Sequence, residues 1–397
     1  MRQLLVCFFS LCLSTQLSAQ LTLVGTVADS ATQAPIPFAT VYFDGTTNGQ
    51  TTDDDGKFSL ALQGIELPAL LVISHVGYRT QSILIEDAAQ RVNISLGVQG
   101  QLIQTVVVQD EDRRMKNIAE FRSIFLGVTD WGKRAKIKNE EALVFNRDYL
   151  NKKLNTTSKH FRKIVVQSNR TDGNWAPDST FYAFEQALNL QARAKVPLEV
   201  SLPDLGYTLQ VDLTYFHSSY QQGKTSHLGH YFFKPAESRS GKPKAKHVKN
   251  RQFAYYNSAL HFLRSLYLNK LEENGYRVYE QSKARFGRKP ELKEIDLNAY
   301  VQKVEGEQME IKGLAGKHLA ILYYGDAKGR PLPPKKQKRK QPTQSGIFIG
   351  EDNCKIRADG TMGDSDIAFS GYIGTRGVAW MLPSDYQPEL KSPPNKQ

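Results

Sequence analysis

Residues 37–78 read PFATVYFDGTTNGQTTDDDGKFSLALQGIELPALLVISHVGY, and this stretch decides how the front of the chain folds. Phe38, Thr40 and Tyr42 alternate with Ala39, Val41 and Phe43. Apolar weight on both faces of a period-2 segment predicts a strand covered on both sides, inside a sandwich, rather than one lying on water. Asp53-Asp54-Asp55-Gly56 follows, a turn in which Asp side chains bond local amides and Gly56 supplies a positive φ to close a hairpin. Lys57–Leu62 alternates again with Phe58, Leu60 and Leu62 on one face, and Leu70–Val76 is an apolar run stopped by Gly77-Tyr78.

Working outward, Leu21–Ala28, Gln81–Ile85, Arg91–Leu96 and the β-branched run Leu102–Val108 complete about seven short strands with turn signals between them. Such spacing without a helical period predicts a β-sandwich. The runs VGTVADSATQAPIPFATVYFDGT, TTDDDGKFSL and LVISHVGYRTQSILI resemble the carboxypeptidase-regulatory-like domain over residues 21–97. That resemblance implies a transthyretin-like, Greek-key β-sandwich and an export context. Similar domains open many exported Bacteroidota proteins, TonB-dependent outer-membrane receptors included. It implies no catalysis, because in metallocarboxypeptidases this module is an appendage to the zinc enzyme.

The remaining chain is expected to form an α+β, largely antiparallel domain over 119–390, after a charged linker at 109–118. Ala142–Tyr149, Phe161–Gln167 and Leu205–Tyr215 read as strands, the last with an antiparallel partner ending near Phe233; Phe181–Ala194 is compatible with strand or helix. Glu237–Asn250 reads as a lysine-rich loop. Leu260, Leu263, Tyr267 and Leu271 place a helix over Phe253–Asn274, capped by Asn274-Gly275. Strands near Gly316–Tyr324 and Gly346–Gly350 flank a basic Pro/Lys loop at 331–345, read as solvated. Cys354–Tyr372 reads as a hairpin around Ala358-Asp359-Gly360. In EFRSIFLG, PLEVSLPDLGYTLQVDL, NRQFAYYNSALHFLRSL and LPSDYQP this half is similar to the C-terminal regions of exported Bacteroidota proteins carrying the same front module, a likeness that implies no mechanism.

At 397 residues the chain has room for two or three cores. Residues 1–19 read as a signal peptide: Arg2 is the positive region, Leu4–Leu13 the apolar region, and Leu17-Ser18-Ala19 a small-residue exit. The apolar run is shorter than the roughly 20 residues a membrane anchor needs, and no later helix candidate is apolar enough to span. Cys7 and Cys12 belong to the leader, which leaves Cys354 alone in the mature chain. An exported chain with one thiol holds by core packing and not by disulfides. The net charge of +12 is unevenly spread: residues 20–112 hold three basic against eleven acidic side chains, a balance of −8, and residues 113–397 balance at +19. The basic half is suited to an anionic glycan, a lipid headgroup or an acidic envelope protein, or simply keeps the domain in solution. Nucleic acid is not expected as a partner of an exported chain without a recognised binding module.

The carboxypeptidase resemblance invites a test for zinc ligands. None of the eight histidines has Glu three residues on, and His-Glu-x-x-His is absent, so zinc peptidase chemistry lacks its ligands. His227-x-x-His230 lies in a segment read as strand, where residues three apart face opposite sides. The Asp53–Gly56 run has Leu62 where a calcium loop needs Glu. No Gly-x-Ser-x-Gly elbow, P-loop or dinucleotide fingerprint occurs. No metal, cofactor or catalytic residue is therefore assigned. The remaining candidate is a ligand- or anion-binding cluster of Arg251, Tyr255, Ser258, His261 and Arg264, in which Ser258, His261 and Arg264 share a helix face. The same residues serve a structural reading as caps and ion pairs. Together these features describe an exported, non-enzymatic protein of the periplasm or cell envelope that binds or scaffolds a partner; the rival is a hydrolase sited near residues 251–264.

Overall fold

The computed structural model describes residues 21–100, 111–155, 171–174, 181–236, 242–281, 291–304, 308–338, 340–362 and 367–389. The leader, the Leu102–Val108 run and the strand expected at Phe161–Gln167 lie outside the described residues. The chain is mainly β: the front unit is a β-sandwich, and an α+β region follows it.

Seven strands build the sandwich: β1 (Thr22–Asp29), β2 (Thr40–Phe43), β3 (Gly49–Thr51), β4 (Lys57–Ala61), β5 (Ala69–Ser74), β6 (Gln81–Ile85) and β7 (Val92–Leu96). In one sheet β1 pairs antiparallel with β4 and parallel with β7. The other runs β3-β2-β5-β6, antiparallel throughout. Leu23, Val27, Phe58, Leu60 and Ile94 meet Val41, Phe43, Leu71, Ile73 and Ile85 between the layers. Each such side chain contributes roughly 1.5–3 kcal/mol on burial.

The Asp53–Gly56 turn has the expected chemistry. Asp53 Oδ1 accepts from the Asp55 and Lys57 amides at 3.0 and 2.8 Å, and Gly56 has φ +70°. It joins strands of different sheets, however, so it is a corner between layers and not a hairpin closure. Phe38 also departs from expectation. It is 67% exposed with φ +59° and lies outside β2, because Thr52 ties the preceding loop by accepting from the Ala39 amide and donating to the Ile36 carbonyl.

Residues 111–118, expected as linker, are the first half of helix α1 (Glu111–Phe125). The charge run that reads as linker is the solvent face of α1, while Ile118, Phe121 and Phe125 bury its other face. A short helix α2 (Asp130–Arg134) follows, capped by Thr129. They border an antiparallel sheet whose central strand, Tyr207–Ser219, pairs along its length with Lys224–Pro235 as expected. Leu209, Val211, Leu213 and Phe216 point from it into the first core of this region. Phe181–Ala187 and Asn189–Ala194 are both strands.

The helical segment is two helices, α3 (Ala245–Tyr255) and α4 (Ala259–Tyr267). Part of the expected lysine-rich loop is therefore α3, and the expected single helix ends seven residues early. Asn257 (φ +56°) breaks the run and Ser258 caps α4. Asn269 turns left-handed just past its end, and Gly275 serves the entry into the strand Tyr276–Gln281. α4 buries Phe262, Leu263 and Leu266 in a second core, lined by a five-stranded antiparallel sheet and a smaller one that holds the buried Cys354. The turn expected around Ala358-Asp359-Gly360 forms, with the Arg357 amide donating to the Thr361 carbonyl at 3.0 Å, but among the described residues its flanking strands pair elsewhere: Cys354–Ile356 with Met309–Ile311, and Ile367–Ser370 with Thr343–Ile349. The expected basic loop at 331–345 contains a short helix, Pro334–Gln337, and the start of the strand Thr343–Ile349. It is anchored at Gln337, whose amide donates to the Glu272 and Leu332 carbonyls while its oxygen accepts from Arg277.

Candidate functional site

The five residues of the sequence-derived cluster sit on or beside α3 and α4, and the polar atoms of Arg251, Ser258 and Arg264 are engaged by backbone. Arg251 donates to the Leu205 and Gly206 carbonyls at 2.7 and 2.9 Å, with its guanidinium 3.8 Å from the Tyr207 ring centroid. The Ser258 hydroxyl donates to the Tyr255 carbonyl at 2.6 Å and accepts from the His261 amide at 3.1 Å. Ser258 thus bonds the backbone of His261 rather than its ring, and no nucleophile–base pair is formed. His261 is 4% exposed, lies tilted beside the Tyr255 ring with centroids 5.0 Å apart, and lies 2.9 Å from the Tyr276 hydroxyl through Nδ1. Burial, assisted by the Arg264 charge, pulls its imidazole down to about 3. The ring is neutral at physiological pH and a very weak base. Arg264 donates to three carbonyls: Asp359 at 3.0 Å, Tyr386 at 2.8 Å and Ser384 at 2.6 Å. His261, Tyr255 and Arg264 are brought together, while Arg251 serves the separate Leu205–Tyr207 turn.

Arg264 leads to a contact that sequence reading missed. The Ser384–Tyr386 segment it holds fastens the sandwich: the Ser384 amide donates to the Gly45 carbonyl at 2.7 Å, and Asp385 accepts from the Thr47 amide at 3.1 and 3.2 Å and from its hydroxyl. From the other side, the edge strand Lys224–Pro235 grips the same loop. Gly45 donates to the Tyr231 carbonyl at 2.7 Å, and Phe233 donates to the Thr46 carbonyl at 3.0 Å, a parallel bridge between the two units. Asp44 accepts from the Tyr231 amide at 2.7 Å and meets His230 Nδ1 at 2.9 Å. Below the loop the Phe232 ring stacks on Tyr42 with centroids 4.8 Å apart, in a small cluster with Val72. The sandwich residues 44–47 are clamped between an edge strand and the chain's last described segment.

The two close histidines point apart, as the strand reading expects. His227 meets the Tyr231 hydroxyl at 2.7 Å and packs edge-on against Phe125, and His230 faces Asp44. Burial lowers His227. At His230 burial also pulls downward, but the hydrogen-bonded Asp44 carboxylate, with Asp212 beyond, outweighs it and raises the value. A group raised in the folded state stabilises fully below its unfolded value near 6.5, and that stability is lost as pH rises through the folded value. The His230 contribution to the clamp is therefore expected to fall as pH rises above about 6.5. The lowered His227, His247 and His261, still partly protonated in the unfolded chain near pH 6.5, act in the opposite sense until the unfolded chain has lost those protons. The thermal-midpoint advantage of the wild type over His230→Gln should shrink between pH 6 and pH 8.5; a difference that does not change with pH would refute the assignment.

Among the described residues, no group of three or more His, Cys, Asp and Glu side chains is placed to hold a metal ion. None of the described helices is long and apolar enough to cross a membrane. Over 105 residues the chain is 34% identical to a TonB-dependent receptor of Formosa agariphila, a match that takes in 26% of this chain and only 10% of the receptor's length. Among solved structures, a membrane-associated protein of unknown function from Bacteroides fragilis is 12% identical, with 54% of this chain and 94% of that chain covered and a TM-score of 0.16. The major pilin subunit BcpA of Bacillus cereus is 10% identical, with 81% and 94% covered and a TM-score of 0.14. Neither score describes a shared fold. Residues 23–108 match the CarboxypepD_reg-like domain model, and with the seven strands described between Thr22 and Leu96, the front unit of this chain is a CarboxypepD_reg-like domain.

Proposed function

We propose that this is an exported, non-enzymatic protein of the cell envelope that binds or scaffolds an envelope protein or anionic glycan, presenting its CarboxypepD_reg-like domain as a fixed part of a larger body. The observation that carries this reading is the clamp. Arg264 of that cluster is engaged in holding the Ser384–Tyr386 segment, and that segment holds the sandwich. Ser258 bonds backbone and the His261 ring bonds Tyr276, so no group near residues 251–264 is set up for hydrolysis. The positive balance of residues 113–397 supports an anionic partner. The receptor relative, matched over 105 residues, supports an envelope setting.

The test is affinity purification of the tagged chain from native envelopes, with captured proteins and glycans both identified, beside a Phe232→Ala variant in which the clamp is loosened. A defined partner enriched with the wild-type chain and reduced with the variant is the expected result. Recovery of nothing above an untagged control would overturn the reading, as would a hydrolytic activity abolished by His261→Gln in a folded variant.

A further inference from the structure

A groove of about 600 Å³ opens where the end of α1 meets α2, and it is lined from residues 122 to 140. That volume falls within the roughly 300–1,000 Å³ of small-molecule clefts. Its floor is backbone held at close quarters. A Cβ on Gly132 would stand 2.0 Å from the Gly127 carbonyl oxygen, and one on Gly377 would stand 2.4 Å from the Gly127 nitrogen. Thr129 fastens the turn by accepting from the Gly132 amide at 3.2 Å and from Trp380 Nε1 at 2.8 Å, while Trp131 stacks on Trp380 at 3.7 Å. The groove is thus part of a rigid corner rather than a gap between loose loops.

The lining has a definite chemistry. Leu126, Val128, Ala135 and Ile137 make it mostly apolar, and Val128 is exposed in it. Three cations stand around it: Arg122, Lys133 and Lys136. Its one acid, Glu140, is taken by Arg122 in a two-pronged ion pair. Lys133 has only a loose 3.8 Å approach to Asp130, with both side chains mostly exposed. The lining thus carries an excess of positive charge over an apolar bed. A sugar acid would need several hydroxyl partners, and Ser123 is the single hydroxyl in the lining.

We propose that this groove binds a small amphiphilic anion, an alkyl or aryl carboxylate, with the apolar body on Leu126, Val128 and Ile137 and the carboxylate toward Lys133 and Lys136. The proposal deepens the binding reading, and the two fail separately: a partner captured from envelopes with no carboxylate in the groove sinks this assignment and leaves the other standing.

Calorimetric titration of the chain lacking residues 1–19 with sodium laurate, below its micelle concentration, is the test. Laurate is expected to bind with one site, and dodecanol, which keeps the chain and lacks the charge, about tenfold more weakly. Lys133→Glu with Lys136→Glu should weaken laurate about tenfold, and Val128→Asp should weaken it comparably while circular dichroism stays unchanged. The proposal is overturned if laurate does not bind, if dodecanol binds equally well, or if both variants bind as the wild type does. Adsorption to phosphatidylglycerol vesicles without laurate binding would also overturn it, since that is attraction to a charged surface.

Discussion

Phe232→Ala is expected to cost about 3–5 kcal/mol, in the range of large-to-small changes at buried aromatic positions, and to uncouple the front sandwich from the rest of the chain. Phe232 is 5% exposed although it sits on an edge strand, because its ring lies flat on Tyr42 with Val72 beside it. Gly49 permits that approach, since a Cβ there would stand 2.6 Å from the Phe232 ring. Alanine removes the stack and leaves the outer faces of β2 and β5 open to water. Tyr42→Phe is the matching control. The Tyr42 hydroxyl is buried without a hydrogen-bond partner among the described residues, so its removal should leave stability within about 0.5 kcal/mol or raise it. Urea unfolding of the two variants checks both expectations.

Arg264→Ala is expected to cost a comparable 3–5 kcal/mol, roughly the loss seen when a buried charged partner is removed from its bonds. Three carbonyls, those of Asp359, Ser384 and Tyr386, would lose their donor together. The Ser384–Tyr386 segment would be freed from α4, and with it the grip on Gly45 and Thr47. Arg264→Lys should recover only part of the loss, because an ammonium cannot reproduce a planar fork aimed at three oxygens. If Arg264 were instead a solvent-facing ligand residue, its removal would change stability by no more than about 0.5 kcal/mol. The size of the loss therefore decides between the two readings of the cluster.

The sandwich was legible because period-2 alternation and turn chemistry are local signals, and residues 23–96 carry both. Tyr42 and Val72 show where local reading reached its end. Apolar residues on both faces of β2 and β5 correctly announce a doubly covered sheet. What covers the outer face is Phe232, almost two hundred residues away, and no spacing rule links them. The charges of residues 111–116 concealed α1 because a helix's solvent face and a linker have the same composition; the buried Ile118, Phe121 and Phe125 at helical spacing were the available signal. Asn257 and Asn269 broke the long helix through left-handed backbone, which asparagine adopts more readily than most residues. Of the candidate cluster, Tyr255, His261 and Arg264 lie together and Arg251 lies apart, and what Arg264 does turns on carbonyl positions in the Ser384–Tyr386 segment. Arg264 reads alike in sequence whether it faces a ligand or a backbone.

Differential scanning calorimetry of the chain without its first 19 residues tests the clamp most directly. A single cooperative transition is predicted, splitting in two when Phe232 or Arg264 is replaced by alanine. Two transitions in the wild-type chain, with the sandwich melting at the same temperature in both variants, would contradict it.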